Sequence, residues 1–108
     1  MTKRVAVLLS GRGSNFQSLL NASLKGSLGG EISLVISNRL GAGGLSIAQN
    51  AGIETAMIDH QRYPTREAFD QDLAGALDNA EPDLVVLAGF MRILTPEFAA
   101  RFLSLMHI

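Results

Sequence analysis

Four short aliphatic runs, at residues 5–9, 32–36, 55–58 and 84–88, recur along this chain, and none alternates cleanly between apolar and polar. A strand with one wet face alternates. A strand that is apolar throughout must be covered on both faces, as in a parallel sheet sandwiched between helices. Helix-period segments follow each run. Residues 14–25 carry Phe16, Leu19, Leu20 and Leu24 on one stripe and are stopped by Gly26, Gly29 and Gly30. Residues 43–51 repeat Leu45, Ala48 and Ala51 and close at Gly52. Residues 65–79 place Ala68, Phe69, Leu73, Ala76 and Leu77 on one side, and residues 96–103 open with Thr95 as N-cap and Pro96 at the first helical position. The expected fold is α/β, a doubly wound parallel sheet of four strands alternating with helices through right-handed crossovers.

A chain of 108 residues, 47% hydrophobic and 18% charged, has material for one core and not two, so residues 1–108 are read as a single domain. The formal net charge of −1 leaves no electrostatic footprint for nucleic acid or an anionic membrane. The absence of cysteine excludes a disulfide scaffold, a thiolate metal site and a cysteine nucleophile, and two isolated histidines, His60 and His107, leave no His-based metal cluster. Lys3 and Arg4 precede an apolar run of only five residues, short for a signal peptide, which leaves a soluble, cytoplasmic protein as the default.

The first run leads directly into Ser10-Gly11-Arg12-Gly13-Ser14-Asn15 and then into the first helix. A glycine-bearing turn at a helix N-terminus aims several backbone N–H groups outward, and Ser14 and Asn15 add donors where an anion would sit. The alternative is a tight turn in which Gly11 and Gly13 only supply positive φ. A dinucleotide fingerprint is disfavoured, because Phe16 stands where a small residue is needed and Ser37-Asn38-Arg39 offers no acid for a ribose diol. No Gly-Lys-Ser/Thr follows the glycines, which excludes a Walker loop. A single phosphate on a small metabolite remains.

The fourth run ends in a mostly apolar loop, Gly89-Phe90-Met91-Arg92-Ile93-Leu94. In doubly wound sheets the fourth strand commonly lies beside the first, so the two loops would line one cleft at the switch point. Met91, Ile93 and Leu94 then either offer a surface to a flat heteroaromatic ring or simply complete the core. Arg66 opens the third helix, where its cation opposes the helix dipole; it is a ligand contact or an exposed, solvated arginine. The polar stretch 59–65 is the one long irregular loop, His60 reads as one of its polar residues, and Asp83 marks the start of the fourth strand.

Four segments taken in order resemble the N-terminal half of the phosphoribosylglycinamide formyltransferase family. They are Val7-Leu8-Leu9-Ser10-Gly11-Arg12-Gly13-Ser14-Asn15-Phe16-Gln17, Ile36-Ser37-Asn38, Thr65-Arg66-Glu67-Ala68-Phe69-Asp70, and the stretch from Pro82-Asp83-Leu84 through Gly89-Phe90-Met91-Arg92-Ile93-Leu94-Thr95-Pro96-Glu97-Phe98. The resemblance implies a Rossmann-like formyltransferase half-domain. It implies transfer of a formyl group from 10-formyltetrahydrofolate to the amine of glycinamide ribonucleotide, in purine biosynthesis and without a metal. Gly13, Ser14 and Asn15 correspond to positions that hold the phosphoribosyl group. Arg66, Met91, Arg92, Ile93 and Leu94 correspond to positions that meet the folate, the loop backbone receiving the pterin.

The family's catalytic Asn, the His two residues later and a distant Asp have no match in these residues. By ungapped register from Pro96, Ile108 falls where the Asn belongs, and His107 does not take the role of the catalytic His. The expectation is a substrate-binding half, inactive alone and marginally stable. Its fourth strand would present an unpaired apolar edge, open to a C-terminal half in trans or to self-association, unless the last residues fold back over it. Competing readings are an autonomous phosphometabolite-binding or assembly module, and another folate-dependent formyltransferase or a formyltetrahydrofolate hydrolase. A formyltransferase acting on tRNA would carry a basic surface that the net charge of −1 does not support.

Overall fold

The computed structural model describes residues 3–11, 14–26, 30–39, 42–88, 90, 95–102 and 106–107. The aliphatic runs become β1 (Arg4–Leu9), β2 (Glu31–Ser37), β3 (Glu54–Met57) and β4 (Leu84–Leu87), joined by a two-residue β5 (Met106–His107). All pairings are parallel and the order is β3-β2-β1-β4-β5. β4 therefore lies beside β1 on the far side from β2, as the doubly wound reading requires.

Because the pleat has a period of two, β1 feeds two cores. Val5, Val7 and Leu9 pack with Phe16 and Leu20 of α1 (Ser14–Leu24) and with Ala48 of α2 (Gly43–Asn50). Ala6 and Leu8 pack with Phe69, Leu73 and Leu77 of α3 (Arg66–Ala80) and with Phe98 and Phe102 of α4 (Pro96–Phe102). These two layers cover the sheet, which is why none of the runs alternates with polar residues. β2 keeps the same division by means of a bulge. Val5 pairs with Ile32 and Ala6 with Leu34, so Ser33 is left over between them. Strict alternation would put Ile32, Leu34 and Ile36 on one face; instead Ile32 joins the α1–α2 core while Leu34 and Ile36 join the other.

Helix boundaries follow local chemistry. Thr65 is the N-cap of α3 rather than its first residue, its Oγ1 accepting from the Ala68 N–H at 3.1 Å. Thr95 caps α4 in the same way, accepting from Phe98 N–H at 3.2 Å. Gly26, at φ +78°, turns the chain off α1. At the sheet's other end, Asp83 Oδ2 accepts from the Arg4 N–H and the Asp83 N–H donates to the Arg4 carbonyl, each at 2.8 Å, so Asp83 locks the start of β4 against β1.

The four expected strands are all present, and the sheet gains a short fifth. The flank of β4 is in consequence not bare: Val85 pairs with Met106 and Val86 with His107. A two-residue strand is too short to leave a periodic signal. Two expectations need correction. Leu24, assigned to the apolar stripe of α1, is 78% exposed in that helix's last turn. The stretch 59–65 is not wholly irregular, since His60–Arg62 forms a 3-10 turn.

Candidate functional site at the carboxyl edge of the sheet

In a parallel sheet every strand ends on the same edge, and here the β1–β4 neighbourhood on that edge is the switch point, with the chain leaving β1 toward β2 on one side while β4 occupies the other. Ala88, just past β4, donates its N–H to the Leu8 carbonyl at 2.9 Å. The segment after β4 and the turn after β1 thus begin side by side.

On the β1–β2 side the edge is held by side chains of the strand ends. Ser10, 3% exposed, donates its hydroxyl to Asn38 Oδ1 at 2.5 Å, joining two residues that each lie one step beyond a strand. Ser37, wholly buried, accepts from the Arg39 N–H at 3.1 Å and bends the chain away from β2. Asn38 is thereby committed to the scaffold beneath the β1 turn. Gly11 follows, exposed, with no atom of the described residues within 4 Å of where a Cβ would stand and with φ outside the left-handed range. At Gly11, then, the tight-turn reading fails: neither positive φ nor crowding by the described residues calls for glycine. Close approach by something outside the fold remains as a reason for it. α1 begins at Ser14 with no acidic residue in its first turn, so no carboxylate of that turn offsets the partial positive charge of the helix N-terminus.

On the β4 side the edge is held from a helix. Asp70, 4% exposed in the second turn of α3, accepts from the Thr95 N–H through Oδ2 at 2.6 Å, and its Oδ1 is buried with no hydrogen-bond partner among the described residues. Phe90 packs against the core beneath α3 and α4. A groove of about 400 Å³ opens between α3 and α4, lined by Glu67, Asp70, Gln71, Thr95, Phe98 and Arg101. Arg101 is already paired with Asp78. Further along the same edge, the Tyr63 hydroxyl donates to Asp72 Oδ2 at 2.6 Å, and that bond, aided by burial and the carboxylate charge, raises the phenol above its ordinary pKa.

Of the residues singled out from the sequence, Ser14 and Asn15 open α1 at this edge, and Arg66 is the exposed first residue of α3, next to Glu67. Gly13, Met91, Arg92, Ile93 and Leu94 lie outside the described residues. Sequence reasoning missed the Ser10–Asn38 bond and the Asp70–Thr95 bond. The one signal for the latter is a carboxylate directly after Phe69, on the turn of α3 that Phe69 shows to be buried. Among the described residues no group of three His, Asp or Glu side chains is placed to hold a metal ion, and no helix is long and apolar enough to cross a membrane.

An open parallel sheet clothed by helices on both faces, with β1 and β4 side by side at its switch point, defines a doubly wound α/β domain. The chain belongs to the formyl transferase family, whose sequence profile matches residues 3–106. It is 42% identical over 98 residues to phosphoribosylglycinamide formyltransferase of Escherichia coli (strain K12), a match covering 91% of this chain and 46% of that protein. It is 43% identical over 99 residues to the trifunctional purine biosynthetic protein adenosine-3 of Gallus gallus, covering 92% of this chain and 10% of the relative. The solved structure of phosphoribosylglycinamide formyltransferase from Coxiella burnetii, in complex with CHES, superposes with a TM-score of 0.93 at 42% identity, over 98% of this chain and 50% of the other. The chain spans about half the length of these single-activity relatives and a tenth of the trifunctional one.

Proposed function

We propose that these 108 residues form the substrate-binding half of a phosphoribosylglycinamide formyltransferase, which moves a formyl group from 10-formyltetrahydrofolate to the amine of glycinamide ribonucleotide in the cytoplasm. The observation that carries the proposal is the Ala88–Leu8 bond, through which the chain leaves β1 and β4 side by side at the carboxyl edge. In this reading Gly13, Ser14 and Asn15 hold the phosphate of the ribonucleotide, the uncrowded backbone at Gly11 leaving room for it. Arg66, Met91, Arg92, Ile93 and Leu94 face the folate. Net charge −1 and the lack of a basic footprint fit a small anionic metabolite better than a nucleic acid.

The chemistry requires a donor that stabilises the tetrahedral oxyanion and a group that takes the amine proton. Neither is assigned to a residue of this chain; both are expected from the other half of the domain, in the same polypeptide or in trans. The pairing of β4 with β5 supports that division. Met106 lies opposite Val85 and His107 opposite Val86, so a strand prolonged in this register passes the end of β4 within two further residues. An Asn-x-His segment joined there would reach the carboxyl edge beside the end of β4.

The test is a formyl-transfer assay with glycinamide ribonucleotide and 10-formyltetrahydrofolate, on this chain alone and mixed with the C-terminal half of a relative. Transfer only in the mixture is expected. Transfer by the chain alone overturns the assignment of catalysis to the other half, and a folded chain that binds neither substrate and is silent in both assays overturns the function.

A further inference from the structure

We infer that Asp70 is a positioning residue for the folate-facing side of the cleft, holding the far end of the β4 segment at a fixed place relative to Arg66. The inference rests on the function proposed above and goes beyond it, since Asp70 itself touches neither substrate in that reading.

Three observations converge on this residue. First, its side chain is buried, at 4% exposure, and bonds across 25 residues to a backbone N–H, that of Thr95, at 2.6 Å. A carboxyl group is costly to bury, and at a site with no structural demand the same helix face would carry an alanine or leucine, as it does at Ala74 and Leu77. Second, only one of its oxygens is engaged by the described residues: Oδ1 is buried without a partner among them, so the group is not there to satisfy a closed polar network within them. Third, Thr95 is the first described residue after positions 91–94, and the segment's near end is fixed at Ala88 by the Leu8 carbonyl. Asp70 therefore supplies the second anchor of that segment.

The helix that provides the anchor also carries Arg66, four residues earlier and so on the same face of α3. Arg66 and Thr95 are in consequence referred to one rigid element. Thr95 in turn caps α4 through Phe98 N–H, so displacement of its backbone also disturbs the first turn of that helix. A purely structural role predicts that Asp70 substitutions cost stability and nothing else. A positioning role predicts a selective loss of folate affinity.

Asp70→Ala and Asp70→Asn in this chain separate the two. The amide introduced by Asp70→Asn keeps a carbonyl oxygen to accept from Thr95 N–H and places an NH₂ where Oδ1 lacks a described partner, so this is the conservative rescue. Titrations with 10-formyltetrahydrofolate and with glycinamide ribonucleotide, below the thermal transition of each variant, give the two affinities. Hydrogen exchange over residues 89–95 reports the anchor directly.

Asp70→Ala is expected to weaken folate binding by about tenfold, as loss of an ordering hydrogen bond implies, with ribonucleotide affinity unchanged and exchange in 89–95 accelerated. Asp70→Asn is expected to restore both readouts. Equal loss of the two affinities, unchanged exchange in Asp70→Ala, or failure of Asp70→Asn to rescue would each overturn the inference. A parent chain that binds ribonucleotide but no folate would instead overturn the proposed function on the folate side, a different result from a variant defect.

Discussion

The two sides of the carboxyl edge are held in different ways. On the β1–β2 side, Ser10 and Asn38 are one residue beyond their strands, and their mutual bond is an extension of the sheet itself. On the β4 side, Thr95 is held by Asp70, a residue of a helix that lies across the core. The first arrangement is built from neighbours in the sheet and fixes the point where the chain leaves β1. The second depends on where α3 sits, so anything that shifts α3 shifts this side of the cleft. Under the proposed function, preorganisation on the ribonucleotide side is thus local, whereas that on the folate side is delegated to tertiary packing.

The comparison is broken most strongly at Phe69, fully buried beside Asp70 and edge-on to Tyr63. Phe69→Ala is expected to cost about 3–5 kcal/mol in urea unfolding, from lost burial plus the cavity. In a chain of this size that is a large share of total stability, and on the variant that remains folded the 89–95 segment should exchange faster than the β1–β2 edge. Uniform loss of protection on both sides would show that α3 does not act on one side alone.

Asn38→Ala strikes the other side. Removing the acceptor of the buried Ser10 hydroxyl is expected to cost about 1–3 kcal/mol in the same unfolding measurement, with ribonucleotide binding weakened more than folate binding. The reverse order of affinities would contradict the division of the edge between the two ligands.

Gly11→Ala sharpens the contrast without unfolding anything. Open space among the described residues and an ordinary φ mean that alanine fits, so stability is expected within about 1 kcal/mol of the parent, with any change toward stabilisation. Ribonucleotide binding should nonetheless weaken, because the added methyl group stands in the path of a ligand. Unchanged affinity in isothermal titration would return the β1 turn to a merely structural role.

The smallest effect is expected at Tyr63. Its phenol pKa is raised by the hydrogen bond to Asp72, so the folded state holds the proton more tightly than the unfolded state does. The resulting stabilisation is whole below the unfolded value, about pH 10, and is lost as pH rises through the folded value. Tyr63→Phe should therefore flatten the decline of stability above about pH 10 while leaving neutral pH behaviour of the β1–β2 side untouched. A curve parallel to the parent's in that alkaline range would remove the Asp72 bond from the account.

Much of this architecture was legible from residue pattern. Unbroken apolar runs such as 84–88 announced strands covered on both faces, and Thr65 and Thr95-Pro96 announced helix starts to within a residue, because capping and periodicity are local properties written in adjacent positions. The position of β4 beside β1 followed from topology rules alone. What escaped is non-local. Met106 and His107 form a strand only because β4 is there to pair with them, and Ser33 bulges only because Val5 and Ala6 are fixed opposite. Asp70 and Asn38 are polar residues whose burial depends on partners 25 and 28 positions away, and no short window along the chain contains both ends of those bonds. The glycine turn stood out in the sequence as a candidate site, while the ordinary φ at position 11 and the lack of crowding there by the described residues became visible only with the backbone in place.

The bulge at Ser33 has a bearing on how β2 tolerates changes of length. Between the Val5–Ile32 and Ala6–Leu34 pairs the strand holds one residue more than the space it spans, and that residue belongs to neither core. A deletion among residues 34–37, absorbed by closing the bulge, would bring Ser33 into the ladder at a core-facing position. At Ser33 the loss of a residue leaves a regular ladder in which Ile32 and Val35 still turn toward α1 and α2, and Leu34 and Ile36 toward α3 and α4. The strand thus contains its own slack, next to the centre of the sheet and at the end remote from the site.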